Sequence, residues 1–232
     1  ARKSSSYLET SRAQVAWLCR AKQLAKSVTA GAFSGEKLQK AVQQLRSLVA
    51  DPEAIGDVPR ILSEAGIRMV IVEPLAGSKI DGAVFWIDHS PVIALSLRYQ
   101  RIDSFWFTLF HELGHIESGD VDLAVDVDID RPETEAGRPP SERTADLFAS
   151  ETLIPAERLE SFINQVGPYY SARQIEEFAR QLQVHPGIVV GQLQHRGKVP
   201  YTHFRKTLTP IRQWIAGRAP TDGWGAAPAA SA

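Results

Sequence analysis

His111 and His115 stand four residues apart, with Glu112 directly after the first, in the stretch W-F-T-L-F-H-E-L-G-H-I-E-S-G over residues 106–119. On a helix this spacing puts both imidazoles on one face, so a nitrogen from each can aim at one point. A zinc ion accepts imidazole nitrogen at about 2.0–2.1 Å, a reach the spacing allows. Glu112 is turned partly off that face and suits a base acting on a water better than a third ligand. The alternative is a chance pair of histidines on a core helix. Two neutral imidazoles and a carboxylate inside an apolar helix are costly without partners, so metal binding is the stronger reading.

A catalytic zinc needs one more protein ligand and an open position. Glu142 is the best-placed carboxylate, because it opens a helical stretch after a long acidic segment that can fold the chain back over His111 and His115. Two His and one Glu leave the fourth zinc position to water, as in a catalytic rather than a structural site. Glu142 also favours the dipole of its own helix with no metal at all. Glu117, Asp146 and Glu151 compete for the same role.

These residues need rigid elements to hold them. Phe107, Phe110 and Gly114 recur at helical spacing, with Leu109, Leu113 and Ile116 beside them, which predicts a buried helix through the motif. Asp103 or Ser104 is its expected N-cap and Gly119 its stop. The runs 67–72, 83–87 and 92–97 predict three strands in a small antiparallel sheet, the last two joined by the turn cluster Asp88-His89-Ser90-Pro91. The last of these strands runs into the motif helix and is expected at a sheet edge, where it can hold an extended peptide by backbone pairing.

The remaining pattern is helical. Helices are predicted over 9–28, with Val15, Leu18, Cys19 and Leu24 on the buried stripe, over 34–49 and over 58–65. Others follow over 142–152 with Ser141 as N-cap, 156–166, 171–182, and from His185-Pro186 to Leu193. His185 reads as a turn residue. The last two helices resemble a helix-turn-helix only weakly, since they lack the basic stripe of a DNA reader. Residues 117–140 read as an acidic, solvated loop. Within it Asp126, Asp128 and Asp130 hint at calcium, but Arg131 and Gly137 occupy the places where an EF-hand loop needs Gly and Glu. The pattern fades after Gly197. Trp214 is expected to anchor a last short helix, and 217–232 reads as a disordered tail. The expected division is 1–54 for a linker and helical pair, 55–205 for the catalytic domain, and 206–232 for a C-terminal tail.

Composition narrows the partners. The chain has 232 residues, 44% hydrophobic and 23% charged, with a formal net charge of −1. No global field points to nucleic acid or membrane. Charge is uneven, with nine Lys and Arg against two acids over residues 1–50, and eight acids against one Arg over 117–135. A single cysteine, Cys19, permits no internal disulfide, and no apolar run is long enough to span a bilayer. No signal peptide is visible, so the cytoplasm is the expected location.

The runs F-W-F-T-L-F-H-E-L-G-H (105–115) and E-R-T-A-D-L-F-A-S-E-T-L-I-P (142–155) resemble the ImmA/IrrE family of zinc-dependent peptidases. The strand-rich piece 66–97 and H-P-G-I-V-V-G-Q-L-Q (185–194) fit the same resemblance, which covers roughly residues 55–205. It is similar to the subgroup in which this domain follows a helix-turn-helix of the Xre/HigA regulator type, a DNA-binding domain missing from these residues. The resemblance implies an α+β fold, a mostly helical zincin-like metallopeptidase with a small antiparallel sheet. It implies His111, His115 and Glu142 as zinc ligands, Glu112 as the catalytic base, and a repressor-type regulatory protein as substrate. A second expectation of a different kind stands beside it: a non-catalytic regulatory or antitoxin module that binds a partner protein.

Overall fold

A computed structural model describes residues 11–119, 124–127 and 139–222. In chain order its elements are α1 (Arg12–Ala25), α2 (Gly35–Leu48), α3 (Val58–Glu64), β1 (Arg68–Val72), β2 (Ile80–Ile87), β3 (Ser90–Leu95) and α4 (Ile102–Glu117). Then come β4 (Ala124–Val127), α5 (Pro140–Leu153), α6 (Ala156–Val166), α7 (Ala172–Leu182), α8 (Pro186–His195), α9 (Arg212–Ile215) and β5 (Thr221–Asp222). The fold is α+β, mostly helical with a small mixed sheet.

Strand alternation divides the apolar residues between two cores. Met69, Ile71, Val84, Ile93 and Leu95 face the larger core, with α4, α2, α3 and α8. Val70, Val72, Ala83, Phe85, Val92 and Ala94 face the other way and are covered by α1. Both faces of the central strands are therefore buried, which is why they read as nearly continuous apolar runs. The stripe of α1 is set by Trp17, Leu18, Ala21, Leu24 and Ala25. Val15 and Cys19, expected on that stripe, are exposed, because Trp17 takes the central position and donates its indole N–H to the Val72 carbonyl at 3.0 Å.

The predicted antiparallel sheet is corrected in its pairing. The strand order is β4-β2-β3-β1-β5. β2 and β3 form the expected antiparallel hairpin, turned by Asp88 and His89, which both take positive φ as a tight two-residue turn requires. β1, however, pairs with β3 rather than with its sequence neighbour β2, and the pairing is parallel. β5 adds a parallel strand on the far side of β1. β3, the strand before α4 expected at an edge, is instead paired on both sides, by β2 and β1. β4 pairs antiparallel with β2, so the expected acidic loop contains an edge strand. Asp128 and Asp130 of the calcium-like pattern lie outside the described residues, as do 1–10 and 223–232.

Residues 206–222 are folded rather than the start of a tail. Leu208, Ile211, Ile215 and Ala219 are buried in the main core. Ile102 N–H reaches the Thr209 carbonyl and Ile211 N–H reaches the Gln100 carbonyl, which fixes this segment against the start of α4. The nearly buried Asp222 of β5 pairs with Arg20 of α1. The C-terminal segment thus ties the first helix to the sheet.

The helix starts also differ from expectation. α4 begins two residues or more ahead of the expected caps, with Arg101 as N-cap, and Asp103 lies in its first turn, bonded to the Arg101 guanidinium. α5 begins at Pro140 without a side-chain cap, so Ser141 is inside it. Gly119 takes positive φ just past α4, as a helix stop does. α8 is buried against α4 over most of its length, including Ile188, Val189, Val190 and Leu193, so it offers little surface for a DNA groove.

His185 is the N-cap of α8, its Nδ1 accepting the Gly187 N–H at 3.0 Å. Burial pushes its imidazole below the ordinary value, and Asp103 pulls it partly back. The unfolded chain therefore binds a proton the native state resists, and stability falls as pH drops through about 6.5. A thermal melt of His185→Asn, which keeps a capping acceptor, is expected to lose less Tm between about pH 7 and about pH 5 than the wild type does. An unchanged slope would contradict the assignment.

Candidate metal centre

The motif helix is anchored before it is functional. Trp106, Leu109, Phe110 and Leu113 are fully buried, with Trp106 and Phe110 stacked at 5.8 Å between centroids. This leaves the opposite stripe of α4 for His111 and His115, which are 2% and 1% exposed. Their Nε2 atoms face each other at 3.1 Å.

α5 delivers the carboxylates. It can lie close to α4 because Gly114 has no side chain: a Cβ there would sit 3.0 Å from the Ala145 Cα and 3.2 Å from the Phe148 Cβ. At that approach Glu142 Oε2 is 3.4 Å from His111 Nε2, and Glu142 Oε1 is 3.5 Å from His115 Nε2. One turn further along α5, Asp146 Oδ1 lies 3.0 Å from His111 Nδ1. A carboxylate there holds the proton on Nδ1 and leaves the Nε2 lone pair directed at the other two groups.

This arrangement fits a cation. Two imidazole lone pairs at 3.1 Å repel unless a proton or positive ion lies between them. Donors around a tetrahedral zinc sit roughly 3.3 Å from one another, given bonds of about 2.0–2.1 Å. The three separations here, 3.1, 3.4 and 3.5 Å, match that figure. His111, His115 and Glu142 are the group among the described residues whose donor atoms gather within 4.8 Å. Of the competitors for the third position, Asp146 meets the other nitrogen of His111, and Glu117 and Glu151 are outside the group. Glu117 and Glu151 are exposed, and Glu151 accepts the Ala156 N–H at the start of α6.

Glu112 is 0% exposed and turns toward β2. Its carboxylate lies against Gly82, where Thr108 also approaches, and it is not one of the three groups gathered at the histidine pair. The site thus has three groups able to share an ion and a fourth, adjacent carboxylate able to exchange a proton.

Sequence reasoning counted Asp146 only as a rival ligand. Its place on the Nδ1 side of His111 makes it the group that orients the ring, and the signal was its spacing of four residues from Glu142. Asp146→Asn is expected to weaken zinc binding about 10–100-fold without unfolding the chain, as loss of a carboxylate behind a ligand His does. A competitive chelator titration reads this directly, and unchanged affinity would remove Asp146 from the account.

A family model described as the IrrE N-terminal-like domain, Peptidase_M78, matches residues 63–196. That span is more than half of the chain and runs from the end of α3 to the end of α8. No curated protein matches the chain.

Proposed function

We infer the function from one premise: the chain belongs to the Peptidase_M78 family, so its activity is of the metallopeptidase type and its site is one for a metal. The finer reading is a zinc-dependent endopeptidase that cuts a repressor-type regulatory protein. The observation that carries it is the approach of Glu142 to both Nε2 atoms, with the buried Glu112 alongside.

His111, His115 and Glu142 would hold the ion. When bound, zinc polarises a scissile carbonyl and makes water more acidic. Every other task falls to the chain. Asp146 keeps His111 in the tautomer that presents Nε2. Glu112 takes a proton from the attacking water and returns it to the leaving amine nitrogen, so it ends the cycle as it began. Its burial keeps bulk water from competing for that proton. β4, the edge strand next to β2, offers backbone groups to an extended substrate segment near Glu112. A folded repressor would present such a segment as an exposed loop. Any contact with DNA would fall to a helix-turn-helix domain of the kind carried by the subgroup the sequence resembles.

Incubation of the zinc-loaded chain with candidate repressor proteins tests the reading, with products identified by mass spectrometry. Discrete cuts that a chelator abolishes are expected. A zinc-loaded chain that binds a repressor and alters its DNA binding without cutting it would overturn this reading in favour of a non-catalytic regulatory module.

A further inference from the structure

We infer that Gly82 is a positioning residue for Glu112: the bare Cα of β2 at this point forms the seat in which the carboxylate lies. A Cβ built at Gly82 would fall 2.3 Å from Glu112 Oε1, 3.0 Å from its Cδ and 2.8 Å from Thr108 Cγ2. Non-bonded contacts under 3.0 Å are essentially never seen at real Cβ atoms, so a side chain here requires Glu112 or Thr108 to shift. The opening is local, because Ala83 and Val84 on the same strand carry buried side chains. It also coincides with an irregularity in the β2–β4 ladder between Ile80 and Gly82, where the backbone departs from regular pairing. A glycine in a strand interior costs stability unless a close approach needs it, and here the approaching group is the carboxylate of the motif.

The consequence separates two properties of the site. His111 and His115 are held by Glu142 and Asp146 from α5, whereas the three atoms nearest a Cβ at Gly82 belong to Glu112 and Thr108 of α4 and not to these four residues. A side chain at position 82 therefore displaces the base and leaves the ion-holding groups in place. This inference rests on the peptidase reading for its catalytic consequence, but the seat itself is a property of the fold and can be measured without turnover.

The test is a cycle of variants, Gly82→Ala, Glu112→Ala and the pair, read as the Tm of metal-stripped protein and as zinc bound per chain. Gly82→Ala alone is expected to lower Tm by about 2–10 °C, the effect of overpacking in a chain of this size. In the Glu112→Ala background the same change should cost much less. Gly82→Ala should bind zinc as the wild type does, yet turn over a repressor that the wild type cuts about 10²-fold more slowly, with KM little changed. Gly82→Ala with Thr108→Ser, which removes the other close methyl, should remain slow.

An equal fall in Tm with or without Glu112, or recovery of turnover on adding Thr108→Ser alone, would overturn the inference. So would loss of zinc together with turnover. If Gly82→Ala fails to fold, folding of the Gly82→Ala/Glu112→Ala pair supports the seat and its failure overturns it. If the wild type cuts no protein, the peptidase reading fails while the Tm cycle still decides the role of Gly82.

Discussion

Glu112→Gln is expected to slow peptide cleavage by about 10²–10⁴-fold while zinc remains bound. The amide has nearly the shape of the carboxylate, so it fits the seat between Gly82 and Thr108 without moving α4. It cannot take a proton from water, and the two other carboxylates at the histidine pair among the described residues are already engaged. Glu142 already faces both histidines, and Asp146 is engaged with His111 Nδ1. Single-turnover cleavage with a parallel zinc assay separates the two effects. A Glu112→Gln chain that cuts at the wild-type rate would remove Glu112 from the chemistry.

The second large effect is expected from Gly114→Val. α5 approaches α4 closely at this position, where a Cβ alone would already fall 3.0 Å from the Ala145 Cα and 3.2 Å from the Phe148 Cβ. A branched side chain must push α5 outward or strain the helix, at a cost of about 1–3 kcal/mol. α5 carries both Glu142 and Asp146, so its retreat opens the ion site as well as the core. Zinc affinity should fall by at least about 10-fold, the cost of losing even an outer partner. Calorimetry and a zinc titration on the same sample check both. Lower stability with unchanged zinc affinity would mean that the helix contact does not set the site.

The two variants also show what the sequence could and could not tell. The grouping of His111 with His115 is legible because both lie on one helix, where spacing alone fixes the geometry. Glu142 is legible as a candidate because it starts the next long helix, although the cap expected at Ser141 is absent and the helix begins at Pro140. Asp146 is harder. Its spacing from Glu142 puts it on the same face of α5, but which His111 nitrogen it meets depends on how α5 lies over α4. Gly82 is not legible at all, since a glycine in a strand announces a bulge or a close approach without naming the neighbour.

The sheet divides in the same way. The β2–β3 hairpin follows from a local turn, whereas the parallel pairing of β1 with β3 joins residues more than twenty positions apart. The β5 strand and the buried Leu208, Ile211 and Ile215 come from segments too short to show a period. The burial of Trp17 is also tertiary. It is decided by the Val72 carbonyl that its indole reaches and not by the helix alone.

Zinc content of the purified chain, set beside His111→Ala and Glu142→Ala, tests the central claim most directly. The arrangement predicts about one zinc per wild-type chain after dialysis against trace metal, and none in His111→Ala, where one of three ligands is gone and Glu142 keeps a single histidine partner. Glu142→Ala should hold zinc far more weakly than the wild type. A full equivalent of zinc retained by His111→Ala would contradict the site, and with it the chemistry built on it.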